Sequence, residues 1–160
     1  MRRHFQAVTR AAILPILFTL TACGGGGERS VPEARAAGES FADIGEHVVH
    51  FSALSTEKIP PEVARAYNIV RSKNRAMLNV SVLQEADNKA VEADVVVKTV
   101  NLTGQLKNVV MRKIVEQEAI YYIGETPVAN REVLVFDVSV TPEGATKPSQ
   151  LRFQRQFYSD

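Results

Sequence analysis

"EVLVFDVSV", Glu132 to Val140, sets Leu134, Phe136, Val138 and Val140 on one side of an extended chain and Asp137 and Ser139 on the other. Alternation at period two, rich in β-branched and aromatic residues, marks a strand with one dry face and one wet face. The pattern extends outward in both directions. "HVVHFSAL" groups Val49, Phe51 and Ala53 against Val48, His50 and Ser52, and "AMLNVSVL" groups Leu78, Val80 and Val82. "VEADVVVKTV" aligns Val91, Ala93, Val95 and Val97 opposite Glu92, Asp94 and Lys98. "LKNVVMRKIV" and "AIYYIGE" read as two further strands, and "LRFQRQFY" places Leu151, Phe153 and Phe157 against Arg152, Gln154 and Gln156. Between them, "EADNKA", "NLTGQ", "ETPVAN" and "TPEGATKPS" carry turn residues.

About seven strands at turn spacings near ten residues predict an all-β fold, an antiparallel two-sheet sandwich of immunoglobulin-like or fibronectin-like architecture. A small β-barrel is the alternative, since periodicity does not separate the two. The one helical candidate is "PPEVARAYNI", where Pro61 suits a first turn and Val63 and Tyr67 share a face.

The first forty residues follow a different logic. Arg2, Arg3, His4 and Arg10 flank the apolar run "AAILPILFTLTA", Ala11 to Ala22, which reads as a secretory leader. It is shorter than the roughly 20 apolar residues of a membrane-spanning helix. "LTAC", Leu20 to Cys23, resembles a bacterial lipobox, in which the cysteine thiol takes a diacylglycerol and the chain is cut before it. Each buried methylene contributes about 0.8 kcal/mol, and two or more chains anchor firmly where one does not. Residues 1–22 are therefore expected to be a signal peptide. Residues 23–40 are expected to be a lipidated Cys23 with a flexible Gly-rich tether, and residues 41–160 a folded domain. About sixteen such tether residues span roughly 20–25 Å. Gly24 after Cys23, by resemblance to Gram-negative sorting rules, points to the outer membrane, with the domain facing the periplasm.

Loss of the leader removes three of the 19 Lys+Arg and none of the 18 Asp+Glu, leaving 16 against 18, a formal −2. That balance argues against a nucleic-acid binder. With the one cysteine committed to lipid, no disulfide is expected, so burial alone must hold the domain.

"PPEVARAYNIVRSKNRAMLNVSVL", "NLTGQ", "AIYYIGE" and the closing "FQRQFYSD" resemble the bacterial family known as domain of unknown function 4426. The resemblance runs from about Phe41 to Asp160. It implies a small Gram-negative envelope protein, often a lipoprotein, and it supplies no catalytic residues.

Candidate chemistry is sparse. His47 and His50 form HxxH, but residues three apart on a strand face opposite sides, so no metal site is expected. "STEK", Ser55 to Lys58, matches SxxK without the partner motifs that chemistry requires. Arg71, Lys73 and Arg75, if extended, would form a cationic stripe beside Tyr67 able to grip an anionic ligand, with Tyr67 or Tyr122 completing the concavity. Otherwise the stripe is a solvated face that deters edge pairing. The acidic turn from Glu85 to Asp94 lacks the alternating ligands of a calcium loop. Tyr121 and Tyr122 should face opposite ways. No cofactor motif is present, and no acid–base or nucleophile set stands at a useful spacing. The sequence thus favours a non-catalytic, lipid-anchored module that binds an envelope protein or an anionic ligand. A small periplasmic enzyme or metal handler is the alternative.

Overall fold

The computed structural model describes residues 40–159. The leader, Cys23 and the tether short of Ser40 lie outside the described residues. Nine strands are described: β1 Phe41–Ile44, β2 His47–Ser55, β3 Arg75–Gln84, β4 Ala93–Asn101, β5 Leu106–Lys107, β6 Arg112–Glu116, β7 Ala119–Pro127, β8 Val133–Pro142 and β9 Ser149–Gln156. One short helix, α1 (Pro61–Ala66), follows a 3-10 turn at Thr56–Lys58 between β2 and β3. The strands form two antiparallel sheets, β1-β2-β3-β7-β6 and β5-β4-β8-β9. They do not close on one another. The fold is a β-sandwich, and the barrel alternative is excluded.

The core follows the alternation. Along β8 every second residue is buried, with Leu134, Val138 and Val140 at 0% exposure. These residues meet Val49 and Phe51 of β2 and Leu78, Val80 and Val82 of β3. The rings of Phe51, Phe153 and Phe136 stack in series across the two sheets, with centroids 4.6 Å and 4.9 Å apart. Such pairs add about 0.5–1.5 kcal/mol beyond their burial.

"LKNVVMRKIV" is not one strand. It divides into β5 in the smaller sheet and β6 at the edge of the larger one, with residues 108–111 passing from sheet to sheet. The passage needs Gly124 of β7. A Cβ there would lie 2.6 Å from Met111 Sδ, 2.6 Å from Val109 Cγ1 and 3.1 Å from the Val110 carbonyl. Where β5 leaves its sheet, Lys107 pairs with Glu132 at 2.9 Å, both side chains being nearly buried. Burial pushes the Glu132 carboxyl up, but hydrogen bonds from Lys107, the Ala129 N–H and Asn101 outweigh it and hold it below its ordinary value. The strand β1, which the sequence pattern did not separate, pairs with β2 from Phe41↔His50 to Ile44↔His47.

Candidate functional site: a groove on the outer face of the larger sheet

The residues between β2 and β3 form a strap across the outer face of the five-stranded sheet. Its anchor is Thr56, fully buried. The Thr56 hydroxyl donates to the Val70 carbonyl at 2.9 Å and accepts the Ser72 N–H at 2.9 Å. The Ser55 hydroxyl donates to the Ser72 carbonyl at 3.2 Å, so the serine of "STEK" has a structural partner. Between these ties runs α1. Pro61 opens it, and Asn68, at φ 53°, closes it. The Ile69 N–H reaches the Ala64 carbonyl at 2.8 Å and the Asn68 N–H reaches Arg65 at 3.3 Å. This is a Schellman stop, with asparagine tolerating the left-handed position. It turns Ile69 back onto Ala64, and with Ile59 and Ile123 they form a second apolar cluster outside the main core.

Tyr67 ends the helix and is clipped twice to the edge strand. Its phenol donates to Glu116 Oε2, and its carbonyl accepts from the Arg112 guanidinium. Arg112, Ile114 and Glu116 alternate along β6, so the carbonyl and phenol of one residue together span three positions of the strand. The hydrogen bond to Glu116, then desolvation and the Glu116 charge, hold the Tyr67 phenol above its ordinary value.

Strap and sheet do not meet everywhere. Between them lies a groove of about 420 Å³. The strap contributes Ile59, Val63, Tyr67 and Ile69; the sheet contributes Met77, Asn79, Ile114, Glu116, Tyr121 and Ile123. Asn79 Oδ1 is buried there without a hydrogen-bond partner. A second hollow of about 490 Å³ shares Glu116 and Tyr121 with the groove and reaches His50 and Ser81.

The residues singled out from the sequence are distributed differently from the stripe they suggested. Arg71 and Lys73 precede β3 and are exposed. Arg71 donates to the Glu57 carbonyl at 2.7 Å, Lys73 sits in a turn, and Arg75 lies 3.7 Å from Glu125. None of the three lines the groove. Tyr67 does, but Tyr122 lies on the opposite face, buried between the sheets, where its hydroxyl accepts the Ala93 N–H at 2.7 Å. Its neighbour Tyr121 faces the groove. His47 and His50 are on opposite faces of β2, and His50 rests 6.2 Å from the Phe41 ring. No group of three or more His, Cys, Asp or Glu side chains converges among the described residues. Sequence reasoning missed Asn79, Glu116 and Thr56. The outward position of Asn79 between Leu78 and Val80 was the one signal available for it.

The family pattern described as Domain of unknown function (DUF4426) matches residues 41–160, the whole strand-bearing region. The chain belongs to the DUF4426 family. A crystal structure of a DUF4426 family protein from Pseudomonas aeruginosa PAO1 is 31% identical, with a TM-score of 0.67 over 77% of this chain and 97% of that one. FetP of uropathogenic Escherichia coli strain F11 shares the fold. Its copper-bound E46Q variant is 13% identical, with a TM-score of 0.53 over 73% of this chain and 93% of that one. FetP as isolated is 11% identical, with a TM-score of 0.53 over 74% and 92%. No curated protein matches the sequence.

Proposed function

We propose that this DUF4426 protein is a non-catalytic binding module of the cell envelope. Lipid on Cys23 tethers it to the outer membrane with its domain facing the periplasm, and it takes a small, largely apolar ligand in the groove between the strap and the larger sheet. The anchor rests on "LTAC" and the leader before it. The carrying observation for binding is the groove itself: it is walled by isoleucine, valine, methionine and tyrosine, with one unpartnered amide oxygen on its floor. Pockets of roughly 300–1,000 Å³ with apolar walls and a few polar groups are the usual form of small-molecule sites. FetP, of the same fold, carries copper in one of its structures. In this chain the reading rests on the groove instead.

Met77→Trp, on the groove floor, tests the site. The apolar dye N-phenylnaphthylamine should brighten on binding the native chain and lose that response in the variant; an unchanged response overturns the reading. In the same strain background, Cys23→Ser should move the protein from the membrane to the soluble periplasmic fraction. Retention at the membrane defeats the anchor.

A further inference from the structure

The unpaired polar atoms in and beside the groove are hydrogen-bond acceptors. Asn79 Oδ1 is buried and accepts no hydrogen bond among the described residues. Across β3 and β7, Asn79 pairs with Ile123 and Met77 with Glu125, so Glu125 sits diagonal to Asn79 on the same outer face. Its Oε2 is also buried without a hydrogen-bond donor among the described residues, and Arg75 forms an ion pair with it at 3.7 Å. At the far mouth stands the Glu116 carboxylate, which receives only the Tyr67 hydroxyl among the hydrogen bonds described. Among the described residues no Lys or Arg side chain lines the groove. The Arg112 guanidinium at its rim is turned onto the Tyr67 carbonyl. Two tyrosine rings, Tyr67 and Tyr121, form part of the wall.

Two oxygens without hydrogen-bond donors, Asn79 Oδ1 in the groove and Glu125 Oε2 beside it, and the Glu116 carboxylate bonded only to a neutral phenol, surround or line an apolar space with aromatic walls. The complement is a molecule that brings positive charge and N–H donors on an apolar body. Ammonium groups are held by carboxylates through charge-assisted hydrogen bonds and by ring faces through cation–π attraction. An unpaired buried acceptor, costly when left alone, is satisfied by the same donors. An anion would meet Glu116 with nothing in the groove to offset the repulsion.

We infer that the groove selects a small organic cation, an amine carried on an aliphatic or aromatic body. The body lies against Met77, Ile114 and Ile123, and the charged head lies toward Glu116 between the two tyrosines. This rests on the proposed binding role and names the chemistry of its ligand.

Displacement of N-phenylnaphthylamine from the full-length Cys23→Ser chain by three probes of one size tests it: phenethylamine, phenethyl alcohol and phenylacetate. The amine should compete about tenfold more strongly than the alcohol, the factor one charge-assisted hydrogen bond supplies, and phenylacetate should compete least. Glu116→Gln keeps an acceptor for Tyr67 and should erase most of the amine's advantage over the alcohol. If amine and alcohol compete equally, the cation inference fails and the binding role stands. If the dye responds to Met77→Trp as proposed but only phenylacetate displaces it, the charge reading is reversed and overturned. If the dye never binds, both fall.

Discussion

The two sheets of this sandwich use the same alternation inward and treat their outward positions in opposite ways. On the smaller sheet, β4, β8 and β9 turn out Asp94, Lys98, Asp137, Ser139, Gln150 and Arg152. Lys98, Asp137 and Arg152 fall in one cross-strand row. Arg152 holds Asp137 with two guanidinium nitrogens, and Gln150 reaches Ser139 at 2.9 Å. Val96, half exposed, also faces out there, so that face is mostly polar with single apolar residues among its charges. On the larger sheet, Leu54, Met77, Ile114, Tyr121 and Ile123 face outward and pack into the second apolar cluster. A helix of six residues cannot cover that surface by its own stability, because isolated helices this short do not hold in water. The strap is held instead by polar ties at its ends, Thr56 on one side and the Tyr67 clip on the other. A face covered by a short strap rather than by a third layer leaves a gap, and the gap is the groove.

The largest effect should come from what the two sheets share. Phe136 is 1% exposed and stacks on Phe153 between them. Phe136→Ala should cost about 3–5 kcal/mol, the range for deleting a buried aromatic, and should lower protection of amides in both sheets together. A loss confined to β8 and β9 would break the picture of one core serving two faces.

The outer faces should then separate. Thr56→Val preserves shape but leaves the Val70 carbonyl and the Ser72 N–H without partners, at a cost of about 1–3 kcal/mol. Hydrogen exchange should quicken from Thr56 to Ser72 while the smaller sheet is unaffected. On the other face, Asp137→Ala removes an ion pair whose side chains are 29% and 24% exposed, and should cost only about 0–1 kcal/mol. Equal losses from the two changes would mean that the strap is no more dependent on its anchor than a wet sheet is on a surface pair.

Much of the sandwich was legible because strands such as β8 impose their period without help from distant residues. The break within "LKNVVMRKIV" was not. Its ten residues carry no turn signal, and the place where the chain changes sheets is set by Gly124 on another strand. The strap was half legible. Pro61 and Asn68 are local start and stop signals, whereas Thr56 acts on carbonyl and N–H groups 14 to 16 residues away. Tyr67 was singled out from the sequence as the neighbour of a cationic stripe; in the structure it lines the groove, and its partner Glu116 is 49 residues along the chain. The suggested stripe of Arg71, Lys73 and Arg75 needed an extended backbone, and the turn at residues 73–74 breaks it.

The smallest expected effect belongs to the clip at the groove's edge. Bonding to Glu116 favours the protonated phenol, so the pKa of Tyr67 in the folded chain lies above its unfolded value. The sign follows from linkage: the contribution of the clip is fully present below the ordinary tyrosine pKa, about 10. It is lost as pH rises through the folded value. Of the four tyrosines, Tyr67 is isolated by subtracting the phenolate absorbance titration of Tyr67→Phe from that of the native chain. The difference should titrate on the alkaline side of the ordinary tyrosine value. The same subtraction after Glu116→Gln should move back toward the ordinary value, because the charge that opposes phenolate formation is gone while the acceptor remains. A native difference curve centred at or below the ordinary value would mean the phenol faces water rather than Glu116. The clip would then rest on the Arg112 guanidinium and the Tyr67 carbonyl alone.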